Sequence, residues 1–427
     1  MASSIRNATT PMSNKSIIYL VLGLSPALNA GAGNPSTRQL PEGAGLDGYL
    51  HTAITNSPAL FATYARYHAA VQAVTRSRSL PDPQVSYTHF FEQIETRTGS
   101  QERAVTLSQT IPWPDKLRLR AGAARHHADA AFEKLQSLRL NLSRQVAHAY
   151  ADYAYLGKLT DSVTGNIALL EQLAPVVREK VRAGGSLAQS LKLDVELGKT
   201  RDQLRGLARQ RAAASARLLA LLALPDSTAP LPFPPLPPTT PTRPIPDSNP
   251  TPLAANPHLR SLDHKRLAAQ KSLKLTHRDP VPDPTIGTNV IDIGSAGDTA
   301  VGITLGFKIP LWSKKYRAAQ SAAAAQLDAA TADIASESLR LTGELRTAIE
   351  SYTDASQRAK LYRDELLPTA RQALELAHQA YRGGTTSLLD VIDAERTLLD
   401  LETVLWRAIA DAHKHTATAK TLAGQQL

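Results

Sequence analysis

Asp390 and Asp393 stand three residues apart, a spacing that puts both carboxylates on one face of a helix. Acids paired in this way can draw cations or respond to protons, and an acid near a helix start can instead cap the helix or simply stay solvated. The histidines offer less. His126-His127 are adjacent and His413 and His415 are two apart, and neither group has the i, i+4 spacing that sets two imidazoles on one helix face. They are expected to be exposed helical positions, and no metal site follows from them. Gly198-Lys199-Thr200 resembles the end of a phosphate loop, but the upstream glycine is missing and the segment lies in a helical stretch. Neither a Gly-x-Ser-x-Gly elbow nor a zinc-hydrolase helix occurs. The chain is therefore expected to be no enzyme and to take no cofactor.

The elements that carry these residues come in two copies, residues 33–224 and 258–427, joined by a proline-rich linker at 225–257. Each copy opens with a short helical stretch after an Asn and Pro signal, at Asn56-Ser57-Pro58 and at Asn256-Pro257. Two strand-like runs follow, starting at Pro81-Asp82-Pro83 and Pro282-Asp283-Pro284, and each second run stops at an Ile-Pro pair, Ile111-Pro112 or Ile309-Pro310. A long helical run then ends at Gly184-Gly185 or Gly383-Gly384, and a second helix returns. Asp194-Val195-Glu196 aligns with Asp393-Ala394-Glu395, which predicts that the two turns match without a gap.

Composition sets the compartment. Arg6 and Lys15, the apolar stretch from Ile17 to Leu24, and Ala30 and Ala32 make up a secretory signal over residues 1–32. That stretch is too short to span a bilayer, and no later run of roughly twenty apolar residues appears. With no cysteine, disulfides, thiolate ligands and an acylated N-terminal cysteine are excluded. The net charge of +10 is spread along helices with acidic neighbours, as on solvated faces, so nucleic acid is not an expected partner.

Any membrane span must then consist of strands. Val301, Ile303, Leu305, Phe307 and Ile309 alternate with small or polar residues over a length that suits a tilted membrane strand, which predicts that they face lipid. Val105 to Ile111 repeats the pattern less cleanly, with partner strands near Val85 to Phe91 and Ile286 to Ile293 and turns at Gly99-Ser100 and Gly294-Ser295-Ala296-Gly297. Trp113 and Trp312, just past the Ile-Pro pairs, suit an aromatic girdle at the membrane edge. Four strands cannot close a barrel, so a membrane reading requires several chains to share one; the alternative is a soluble sandwich with both tryptophans in its core. From Pro114 to Arg182 and from Ser313 to Arg382 the chain is rich in strong helix formers, and each run could reach about 100 Å. Pro175 and Pro368 are expected to bend or restart these rods. The alanine run after Ser321 lets neighbouring helices approach closely.

The stretch from Ala380-Tyr381-Arg382-Gly383-Gly384 through Asp390-Val391-Ile392-Asp393-Ala394-Glu395 to Leu399 resembles the periplasmic tip turn and following helix of the TolC family of outer-membrane efflux and secretion channels, and Ile309-Pro310-Leu311-Trp312 resembles its strand-to-helix junction. The resemblance covers nearly the whole mature chain. It implies a mainly α chain with a small β part: a homotrimer in which four strands from each chain complete one twelve-stranded barrel in outer-membrane lipid, continued by a tube of long helices across the periplasm of a Gram-negative cell. A periplasmic adaptor and an inner-membrane pump complete a tripartite efflux path. Asp390 and Asp393 match the family's aspartate rings at the narrow mouth, where repulsion would raise carboxylate pKa values. Tyr381 matches a gate tyrosine, or else packs between helices. Thr386 stands where the best-known member has a gate arginine, so the closing network must differ. Gly184, Gly185, Gly383 and Gly384 match the tips that meet the adaptor. The tip and the compact length are similar to the cobalt-zinc-cadmium branch, which implies heavy-metal cations as cargo. Multidrug or organic-compound efflux and type I secretion are the near alternatives, and a soluble periplasmic coiled-coil scaffold or adaptor the distant one.

Overall fold

A computed structural model describes residues 45–97, 99–225, 229–241, 252–293 and 299–427. The leader features and the Gly294-Ser295-Ala296-Gly297 turn lie outside the described residues. The first repeat contains α1 (Leu46–Asn56), α2 (Pro58–Arg78), β1 (Gln84–Thr96), β2 (Gly99–Thr110), α3 (Pro114–Arg182) and α4 (Leu187–Leu221). The second contains α5 (Pro257–Arg278), β3 (Pro284–Ile293), β4 (Thr299–Phe307), α6 (Ser313–Leu361), a π-helical turn at Tyr362–Leu366, α7 (Leu367–Gly383) and α8 (Leu388–Leu422). The stretches after the Asn and Pro signals are not short: α2 and α5 run 21 and 22 residues. Helix α1, with no counterpart signal in the second repeat, was not legible.

Proline stands at the first or second position of α2, α3 and α5, where its missing N–H would have no partner anyway. The Asn256 side chain accepts from His258 N at 2.8 Å and Leu259 N at 3.3 Å, while its amide donates to Leu422 O at 2.7 Å. Asn56 donates to Leu222 O at 3.4 Å. Each asparagine thus ties the start of its repeat to the end of that repeat's last helix across the same sequence separation, 166 residues.

Helix α3 continues through Pro175 for 69 residues, about 100 Å at 1.5 Å per residue. At Pro368 the second rod behaves differently. The proline cannot donate to the carbonyl four residues back, and the chain takes a π turn over 362–366 before α7 restarts. Helix α3 packs against α1, α2, α4, α5 and α8, and α8 packs against α3, α6 and α7. Within the alanine run Ala323 is buried, while Ala322 and Ala325 stay exposed.

The described part of the linker lies pinned to the helices. Tyr153 donates to Leu231 O, Tyr150 to Pro235 O at 3.1 Å and Tyr352 to Pro241 O at 2.6 Å. Leu236 is buried among Ala151, Ala154, Ala359 and Leu405. Phe233 stands where a Cβ on Gly157 would come within 2.9 Å of its ring, so the ring fits because that helix position has no side chain.

Candidate membrane face and pore mouth

The strands form one antiparallel sheet in the order β1-β2-β3-β4, with β1 and β4 at open edges. Register sorts the side chains. Val85, Leu107, Thr288 and Ile303 lie opposite one another in one row, and Tyr87, Val105, Val290 and Val301 in another. Directly opposed residues share a face, so this face also carries Leu305 beside Ile286 and Phe307 beside Pro284. The other face carries Ser86, Thr106, Asn289 and Gly302 in one row and Ser108, Gly287 and Thr304 in the next. One side of the sheet is thus an exposed apolar band and the other is polar or small. Towards its far end the same face carries an ion pair, Arg103 to Asp292 at 2.7 Å. Ile309 follows β4 and is exposed.

At the helical end the seam between repeats is closed tightly. Lys116, on the first turn of α3, is buried and sits 2.9 Å from Asp283 Oδ1, and its ammonium also donates to Val281 O. Trp113 Nε1 donates to Pro282 O at 2.8 Å. Trp312, its counterpart after β4, is 75% exposed.

The two tip turns come together at the opposite end. Leu170, Leu173 and Val177 of α3, Leu193 and Leu197 of α4, Leu374 and Tyr381 of α7, and Leu388, Val391 and Ile392 of α8 make one apolar core. Tyr381 is 1% exposed inside it. Its hydroxyl donates to Gln189 Oε1 at 3.3 Å, and Lys180 lies over its ring and donates to its carbonyl. The ring therefore joins the two hairpins of one chain. Gly184 and Gly384 take left-handed backbone (φ +96° and +78°), which a β-carbon would strain. Gly185 N and Thr385 N each reach back five residues, to Lys180 O and Ala380 O, in the helix-ending Schellman pattern. The gapless match of the turns is thereby corrected. The left-handed residue is the first glycine of one pair and the second of the other, and the N-cap follows after two residues at Ser186 but after three at Ser387. The backbone geometry of the helix end sets the register, which two adjacent glycines leave ambiguous.

Asp390 and Asp393 are both exposed at the start of α8. Asp390 closes a capping box: its Oδ2 accepts from Ser387 N at 2.9 Å, from Ser387 Oγ at 2.8 Å and from Thr386 Oγ1 at 2.5 Å. The Thr386 bond first, then those from Ser387, hold its carboxyl below the ordinary carboxylate range, opposite to the rise expected from a ring of like charges. Asp393 is 60% exposed, 3.6 Å from Arg396.

The group that sequence reading missed is Glu395. It is 1% exposed, and neither carboxylate oxygen has a hydrogen-bond partner. His378 Nε2 lies 3.5 Å away, but burial and then Arg382 hold that imidazole below its usual value, so it brings little charge. Burial, and then the nearby Glu196 carboxylate, push Glu395 up from 4.5 to about 8. Glu196 stays ionised against Arg396, at 2.8 Å from Nε. A signal did exist: Leu388, Val391, Ile392 and Glu395 fall on one stripe at helical spacing, which places an acid where the pattern calls for an apolar residue. Thr200 of the rejected phosphate-loop triplet lies inside α4, its hydroxyl bonded to Glu196 O.

The outer membrane efflux protein model matches residues 251–424, the second repeat and its approach. The pyoverdine export outer membrane protein OpmQ of Pseudomonas putida is 24% identical over 318 residues, which make up 71% of this chain and 66% of that protein, just under two thirds of its length. CusC has a similar structure, with a TM-score of 0.78 at 16% identity over 94% of this chain and 96% of its own. The outer membrane protein VceC of Vibrio cholerae gives 0.72 at 18% over 89% and 96%. At such identities the structural likenesses speak for the fold: long helices on a small antiparallel sheet. The tip and Ile-Pro-Leu-Trp motifs both lie inside residues 251–424, so it is the second repeat that matches the outer membrane efflux protein family.

Proposed function

We propose that this chain is the outer-membrane conduit of a tripartite exporter and works as a homotrimer with a periplasmic adaptor and an inner-membrane pump. One observation carries the reading: a four-stranded sheet with one apolar and one polar face and two unpaired edges, borne on helices about 100 Å long. Three such sheets joined edge to edge make twelve strands, enough to close a barrel with the polar faces inward. Purification from outer membranes in mild detergent, with the mass measured by light scattering, tests this. A trimer is expected, and a soluble monomer or dimer would favour the periplasmic scaffold instead.

The internal seam says what the joints between chains need. Lys116 and Trp113 hold Asp283 and Pro282 within a chain. Lys315 and Trp312 at the end of β4, and Asp82 and Pro81 before β1, occupy the matching positions at the two open edges and are exposed. Lys315→Asp is expected to weaken each joint by on the order of 3 kcal/mol, as removal of one partner of a buried pair does, and to shift the particle from trimer towards monomer. Adding Asp82→Lys restores it, whereas Lys314→Asp leaves the mass unchanged.

The cargo is a small solute. Asp390 and Asp393 at the mouth favour cations, heavy-metal cations under the family resemblance, whereas the pyoverdine export stated for OpmQ favours an organic load. In planar bilayers, Asp393→Ala is expected to lower cation preference without loss of stability. Asp390→Ala lowers it too and also removes the acceptor that closes the capping box on Ser387, at about 1 kcal/mol. Unchanged selectivity in both variants would leave Asp390 a cap and Asp393 a solvated surface acid.

A further inference from the structure

One side-chain cluster far from the tips is used by nothing in the conduit reading. His126 and Asp129 lie three residues apart on α3, and His264 comes from α5. One ligand atom from each residue lies within 4.8 Å of the other two. His126 Nδ1 is 3.9 Å from Asp129 Oδ2, too far for a hydrogen bond. The two imidazoles stack with centroids 5.8 Å apart and 29° between their planes. The Nδ1 atoms of both rings are buried and have no hydrogen-bond partner. Buried polar nitrogens rarely stay unpaired, because each forfeits its solvation with nothing in return. The expectation that His126 is an exposed helical residue is thereby corrected: its neighbouring ring arrives from another helix, which spacing within one helix does not reveal.

We propose that His126, Asp129 and His264 form a resident site for a first-row divalent cation, zinc foremost, that clamps α3 to α5. Two imidazoles and one carboxylate suit zinc, nickel, cobalt and copper, whereas calcium and magnesium demand oxygen ligands. Three protein ligands leave a fourth tetrahedral position for water. Ligand atoms about 2.0–2.1 Å from a tetrahedral ion lie roughly 3.4 Å from each other, so the cluster must close by roughly 1 Å, which side-chain torsions supply. Burial first of all holds His126 below the ordinary imidazole value, with His264, Lys271 and Arg125 acting the same way and Asp129 against them. Arg125 and Lys271 also oppose a bound cation; the Lys271 stem lies over Gly122, and its long tether lets the ammonium turn to solvent. From α2, Tyr67 feels the Asp129 charge and brings no cation.

Helix α3 belongs to the first repeat and α5 to the second, and His126 lies twelve residues into α3, roughly 18 Å along its axis. The ion would thus cross-link the two halves of the chain below the sheet, whatever the conduit carries.

The test uses the full chain as a detergent-solubilised particle, stripped with a chelator and then reloaded with Zn²⁺ or Co²⁺. Wild type is expected to retain about one zinc per chain after gel filtration, to melt at higher temperature with zinc than without, and to show cobalt ligand-field bands. His264→Ala and the near-isosteric Asp129→Asn are expected to bind at least ~10-fold more weakly with native helix content, while His413→Ala on α8 binds as wild type. Failure of the wild-type particle to retain zinc would overturn the proposal, and so would wild-type affinity in a folded double variant, His126→Ala with His264→Ala. Neither result bears on whether the particle is a trimeric channel, which its mass and conductance decide.

Discussion

Ile303→Arg removes the protein from the outer-membrane fraction, whereas Thr304→Arg, one residue along the same strand, leaves it there. This is the largest effect expected from a single substitution. Ile303 is 82% exposed in the apolar row with Val85 and Leu107, and Thr304 points to the polar face opposite Gly287. Arginine on the lipid face of a barrel costs about 2–4 kcal/mol at the bilayer midplane. Because each chain of the proposed trimer carries the change, the total is about 6–12 kcal/mol by the same measure, comparable to the whole stability of an ordinary domain. On the inner face the same guanidinium meets water. Membrane fractionation followed by detergent-corrected mass reads both variants. Normal trimers from Ile303→Arg, or equal failure of both, would mean that the apolar face does not meet lipid.

The second large effect is pH-dependent. The Glu395 carboxyl has a pKa of about 8 in the folded chain against 4.5 when solvated. The folded state thus binds the proton more tightly, so the stability linked to this group is fully present below about pH 4.5 and is lost as pH rises through about 8. Glu395→Gln keeps the shape and removes the titration. Wild type and variant are expected to unfold alike at about pH 4.5 and below, and to diverge progressively as pH rises from there to about 8, where the variant is more stable by on the order of 5 kcal/mol. Because Glu395 lies beside the core that holds both tips, hydrogen exchange in residues 381–395 should also quicken in wild type at alkaline pH. Parallel melting-temperature curves for the two proteins across that range would show that the carboxyl has a charge partner in the assembled tube.

Much of this was legible because it is punctuation. Proline at helix starts, glycine at the tips, Ile-Pro at the ends of strands and the alternation from Val301 to Phe307 act over a few residues, and short-range sterics leave the chain little choice. What was not legible depends on side chains meeting from distant segments. Lys116 looks like any helix-start cation until Asp283 arrives beside it, and Tyr153 carries no mark that its partner is the carbonyl of Leu231 in the linker. Asp390 was readable as either ring or cap; its acceptance of three bonds from Thr386 and Ser387 gives the cap, and both roles fit one exposed carboxylate.

The two outward-running arms of each chain differ in mechanical kind. Helix α3 is a single unbroken beam of 69 residues, while its repeat-mate is spliced at Tyr362–Leu366, where the wider π turn trades regular hydrogen bonds for compliance. In the proposed trimer, stiff and spliced arms alternate around the tube. Bending loads applied at the tips would then collect at three splices, and the stiff arms would carry strain from tip to sheet almost without loss. Any flexing of that proposed tube would bend every second strut, with threefold rather than sixfold character despite the near-repeat of the sequence.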